Sequence, residues 1–191
     1  MKKNIFTLGL AVFAACALNA QEKEFEFRQV INCETKNQMR TANSPHMKYL
    51  TLVDGGVSGK CYRLVCPKEL KSLLVHPQVF PFIPIKDSSL PITCTIHVKG
   101  KARGNYGLIC YSEKRKCIYP REGGPGKKFE INSPDKWVKL SFTYTPRPGR
   151  DFATKVKFVQ ACISIASGGE LYFDELIQEI EKKDTGIKIV D

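Results

Sequence analysis

Three stretches of this chain alternate apolar and polar residues with a period of two. Ile92, Cys94, Ile96 and Val98 interleave with Thr93, Thr95, His97 and Lys99, and Val138, Leu140, Phe142 and Tyr144 with Lys139, Ser141, Thr143 and Thr145. Val159, Ala161, Ile163 and Ile165 form a third apolar row. Successive side chains of a strand point to opposite faces, so each stretch offers one row to a core and the other to solvent. The rows are rich in β-branched and aromatic residues, which suit a pleated, half-buried surface. Shorter strand candidates cover 24–31, 47–53, 61–66, 105–111, 116–120 and 169–180; only 68–75 looks helical. Turn signals separate them at 54–56, 100–104, 123–126, 146–149 and 168–169, and four prolines mark 77–91 as a loop or irregular edge. About ten strands at such spacing predict an all-β, antiparallel sandwich of two sheets.

The chain has 191 residues, enough for one such domain. Lys2 and Lys3 precede an apolar run from Ile5 to Ala15. At about 11 residues that run is too short to span a bilayer, which takes about 20, and has the length of a signal-peptide core. The reading is an exported protein with a leader over 1–20, cleaved after Ala20, a sandwich over 21–181 and a loose tail over 182–191. Phe13-Ala14-Ala15-Cys16 offers an alternative, a lipoprotein anchored through Cys16.

A formal charge of +11 draws anionic partners. Export and the scatter of the basic residues argue against nucleic acid and for an anionic glycan. Of eight cysteines, Cys110 and Cys117 flank a hairpin-like stretch and are the expected disulfide; Cys94 and Cys162 read as small buried hydrophobes. No Cys-x-x-Cys pair, P-loop, dinucleotide fingerprint or nucleophile elbow occurs, so the chain reads as non-catalytic.

Four stretches in series resemble the carbohydrate-binding modules of the jelly-roll, galactose-binding-like type (families 4, 9 and 22). DGGVSGKCYRL over 54–64 is similar to the family's glycine turn and early core strand, and ITCTIHVKGKARG over 92–104 to its central strand. WVKLSFTYTP over 137–146 resembles the Trp-initiated strand, and GELYFDELIQEI over 169–180 the closing strand with its central acid. The resemblance implies a jelly roll that binds poly- or oligosaccharide. It also implies a structural calcium ion held by Asp174, with Glu26 of the first strand as partner.

A sugar ring has apolar faces and a polar rim, so its site wants flat amphipathic side chains and a few hydrogen-bonding groups. Tyr106, Tyr111, Tyr119 and Arg121, in the variable middle of the chain, are the expected binding residues. Trp137 reads as a packing residue at a strand start, and His97 as solvent-facing without an acidic partner. The alternative function is a structural or interaction protein of the cell envelope that keeps the fold without a sugar site.

Overall fold

A computed structural model describes residues 25–78, 83–84, 90–119, 125–145 and 155–181, with backbone alone at 83–84 and 119. Among them are eleven strands: β1 (Phe25–Ile31), β2 (Met39–Thr41), β3 (Leu50–Asp54), β4 (Lys60–Val65), β5 (Ser72–Pro77), β6 (Ile83–Pro84), β7 (Ile92–Tyr111), β8 (Cys117–Tyr119), β9 (Gly126–Tyr144), β10 (Phe158–Ala166) and β11 (Glu170–Glu181). One 3-10 helix spans Ser44–Tyr49. The leader with Cys16, residue Arg121 and the tail lie outside the described residues. No helix among those described is long and apolar enough to cross a membrane.

Strands β7 and β9 explain the architecture. At 20 and 19 residues they are too long for one layer, since strands average about 5–6 residues. Their halves belong to different layers. Residues 92–98 of β7 pair with 138–144 of β9 on one side, and residues 92–101 with β11 on the other; β4 and β1 share the far edge of β11, and β3 follows β4. Residues 104–111 of β7 pair with β10, then β5 and β2 follow, while 126–133 of β9 lie on the opposite side. Every pairing is antiparallel, and the fold is a jelly-roll β-sandwich.

The crease lies where a turn is predicted, at Gly100–Gly104. The chain does not reverse there; it passes from one layer to the other within β7. Gly100 has φ +128, and a Cβ on it would stand 2.5 Å from the Glu170 carbonyl oxygen. Only glycine combines that backbone with that approach.

Between the layers lies the core. It takes Ile92, Cys94, Ile96 and Val98 from β7, Val159, Ala161, Ile163 and Ile165 from β10, and Leu171 and Phe173 from β11, with Val138, Leu140 and Phe142 packed against it. The three alternating rows therefore face inward as their periodicity demands. Each fully buried Leu, Ile or Phe contributes about 1.5–3 kcal/mol. The helical expectation over 68–75 is overturned, since Ser72–Pro77 pairs with β10 as strand β5. Leu73 and Val75 face the core and Leu74 does not, and this strand parity outweighs the helix-compatible residues before it.

Candidate carbohydrate-binding face

Strand parity decides the fate of the predicted binding residues. Counting straight through β7 from Ile92, residue 106 points inward and 111 outward. Tyr106 is 2% exposed and meets Phe142 edge-on, with centroids 5.7 Å apart. It offers no face to a sugar. Tyr111 does lie on the outer face of the second layer, but that surface is closed: its ring packs with Ile109, Cys162, Leu74 and Phe158. Its hydroxyl donates to Gln160 Oε1 at 3.1 Å, and Gln160 Nε2 donates to the Pro77 carbonyl at 2.9 Å. The backbone of Tyr119 stands opposite Cys110. Of the predicted residues, Tyr106 and Tyr111 therefore present no open ring to a sugar, while the Tyr119 side chain and Arg121 lie outside the described residues.

The expected Cys110–Cys117 bridge is not formed, and both residues are thiols. The register sets Cys117 opposite Tyr111 and Cys110 opposite Tyr119. Cys110 points into the core while Tyr111 and its neighbours occupy the outer face, so the two sulfurs belong to different sides of the sheet. Cys94 is fully buried and Cys162 7% exposed, as small apolar residues would be.

The donor set predicted for calcium does not fit. Glu26 lies at the far end of β11, beside Ile180 and Glu181. Six residues of strand, about 20 Å, separate that end from Asp174. Asp174 is fully buried, and its oxygens already accept backbone amides: Val57 N–H to Oδ2 at 2.8 Å and Glu175 N–H to Oδ1 at 2.7 Å. It anchors the β3–β4 loop onto β11. Burial pushes its carboxyl pKa up, against the downward pull of those amides. A Cβ on Gly56 would stand 2.6 Å from Asp174 Oδ2, so the loop closes only with glycine there. Among the described residues no group of three His, Cys, Asp or Glu side chains could hold a metal.

Beside the anchor, β11 bulges between Asp174 and Ile177, with Glu175 at φ +48. The bulge aims the Glu175 carboxylate at His97, with Oε2 3.1 Å from Nδ1. His97 is half-buried and has the acidic partner that its flanking sequence does not reveal.

The outer face of the first layer carries the aromatic surface. Lys99 of β7 stands opposite Tyr172 of β11, which stands opposite Arg63 of β4. The Lys99 ammonium lies 4.8 Å from the Trp137 ring centre and 5.4 Å from that of Tyr172, and donates to the Gly55 carbonyl at 3.2 Å. Both rings are half-buried, so each keeps part of its surface in water. At the rim Glu170 Oε1 accepts from Arg63 Nε at 2.8 Å and from the Tyr172 hydroxyl at 3.0 Å. The Arg63 hydrogen bond holds the Glu170 carboxyl below its ordinary range. Trp137 is thus no packing residue of the core. Its odd number, shared with the outward row Lys139, Ser141 and Thr143, is the signal in the sequence that places it outside. Tyr172, between inward Leu171 and Phe173, follows the same rule.

No family profile and no curated protein sequence matches this chain. Among solved structures the fold is similar to the enzymatically active domain of tailspike protein 4 of bacteriophage CBA120, at 7% identity and TM-score 0.50, over 83% of this chain and 20% of that one. It is also similar to the family 22 carbohydrate-binding and GH10 modules of Clostridium thermocellum endo-1,4-β-D-xylanase 10B complexed with xylohexaose, at 12% identity and TM-score 0.49, over 80% of this chain and 28% of that one. A family 22 xylan-binding domain matches at 11% identity and TM-score 0.49, over 84% of this chain and 96% of that one. At these identities the likeness is one of fold. The protein is a jelly-roll β-sandwich whose structural neighbours include carbohydrate-binding modules.

Proposed function

We propose that this chain is an exported, non-catalytic protein that binds poly- or oligosaccharide on the outer face of its first layer, by ring stacking and hydrogen bonds. The observation that carries the reading is the pair of half-buried rings, Trp137 and Tyr172, flanking Lys99, with Arg63 and Glu170 at their rim. Flat aromatic surface suits the apolar face of a pyranose, and the charged rim suits its hydroxyls. The basic chain favours anionic glycans. Lys2, Lys3 and the apolar run to Ala15 support export. Binding without turnover accords with carboxylates tied into the structure: Glu170 to Arg63 and Tyr172, Glu175 to His97.

A glycan array with neutral and acidic polysaccharides, read at low and high salt beside Trp137→Ala, tests the proposal. Binding that survives salt and disappears in the variant supports it. Silence toward every glycan leaves the envelope-protein reading in its place, and binding abolished by salt alone marks nonspecific charge.

A further inference from the structure

Next to the aromatic face the sheet corner forms an open cleft of about 330 Å³, lined by Lys101, Arg103, Glu130, Asn132 and the turn Ser167–Gly169 among others. Ligand pockets run from roughly 300 to 1,000 Å³, so this one suits a single sugar residue. Its position follows from register. Lys101 stands two residues beyond Lys99 on the same side of β7, opposite Asn132 of β9 and Glu170 of β11. Two residues of strand span about 7 Å, so the cleft adjoins the aromatic rings. Arg103 is the next residue along that side, opposite Glu130, whose Oε1 lies 3.0 Å from Arg103 Nε. Glu130 thus offsets one cation and leaves Lys101 and the remaining guanidinium donors beside the Asn132 amide.

Resting on the proposed aromatic face, we infer that this cleft is a second subsite, which takes a carboxylate-bearing sugar, a uronate, adjacent to the ring stacked on Trp137 and Tyr172. A planar carboxylate accepts paired hydrogen bonds from a guanidinium and a further one from an ammonium. A neutral sugar would leave the Lys101 ammonium to water. The two sites together define an extended groove for an acidic polysaccharide.

Tetragalacturonate and its fully methyl-esterified form differ in charge but share the same sugar backbone, and calorimetric titration of the full chain with each separates the two sites. The acid form is expected to bind about tenfold more tightly at low salt, the margin of one charge-assisted hydrogen bond. Lys101→Ala and Arg103→Ala should erase that margin and leave the ester's affinity unchanged, Lys48→Ala on the 3-10 helix should change neither, and Trp137→Ala should weaken both. Equal affinity of wild type for the two forms overturns the subsite and leaves the aromatic face standing. Loss of the margin in Lys48→Ala as well overturns it as nonspecific charge. Binding of neither form overturns the uronate subsite, and the aromatic face is then judged by the glycan array. Unchanged circular dichroism of each variant confirms that folding is not the cause.

Discussion

Lys99 places its ammonium 4.8 Å from the centre of the Trp137 ring, at the point where β7 and β9 fall out of simple register. Between Val98 and Gly100 the partner strand bulges through residues 134–137, and this irregularity brings Trp137 over its neighbour. A cation over an indole contributes about 0.5–1 kcal/mol at exposed sites. The bulge therefore creates the surface on which the functional proposal stands.

Trp137 should dominate recognition. Central aromatic anchors lose about 2 kcal/mol or more on truncation, close to thirtyfold in affinity. Trp137→Ala is expected to weaken glycan binding by about that factor with little loss of stability, because the ring lies outside the core. Melting curves and titrations of the same preparation check this. A variant that binds normally would move the site elsewhere.

Asp174 should make stability depend on pH in an uncommon direction. Its folded pKa is raised, chiefly by burial. The folded state then holds the proton more tightly than the unfolded state. Its contribution is fully present below the ordinary carboxyl value and is lost as pH rises through the raised one. The melting temperature of wild type minus that of Asp174→Asn should therefore increase as pH falls from 7 toward about 4. A difference that shrinks on acidification would show that the Val57 and Glu175 amides outweigh desolvation.

The thiols should react unevenly. Cys117 is exposed, whereas Cys33, Cys61, Cys66, Cys94, Cys110 and Cys162 are buried. Burial pushes the Cys110 and Cys162 thiols up to about 12, where thiolate is scarce at neutral pH. Among the described cysteines, brief alkylation of native protein should label Cys117 alone, and alkylation after denaturation without reductant should reach all seven. Two thiols missing from that second count would establish a bridge.

Gly100→Ala should destabilise by about 1–3 kcal/mol or more, the range for a residue held at an unfavourable φ. Its Cβ would also press on the Glu170 carbonyl oxygen. Chemical denaturation measures the loss. A neutral result would mean that the crease relaxes without effect on the pairing of β7 with β11.

Much of the layer pattern was legible in the alternation itself. The rows Ile92–Val98, Val138–Tyr144 and Val159–Ile165 declare their inward faces because burying apolar groups while keeping polar ones in water permits one phase of a period-two pattern. That phase also reaches Tyr106, Trp137 and Tyr172. It was obscured where Gly100 and Gly104 read as a turn, which broke one strand into two and lost the parity.

An antiparallel sandwich, the phase of its three main rows, the basic charge and the apolar N-terminal run are all properties of neighbouring residues along the chain, and so are readable without coordinates. That Lys99 lies between Trp137 and Tyr172, that Asp174 anchors Val57, and that Cys110 and Cys117 stay apart follows from how the strands assemble. Those relations join positions distant in the chain and depend on register, on two bulges and on a crease. Alternation along one strand records which face a side chain takes, but not which residue of a distant strand stands beside it.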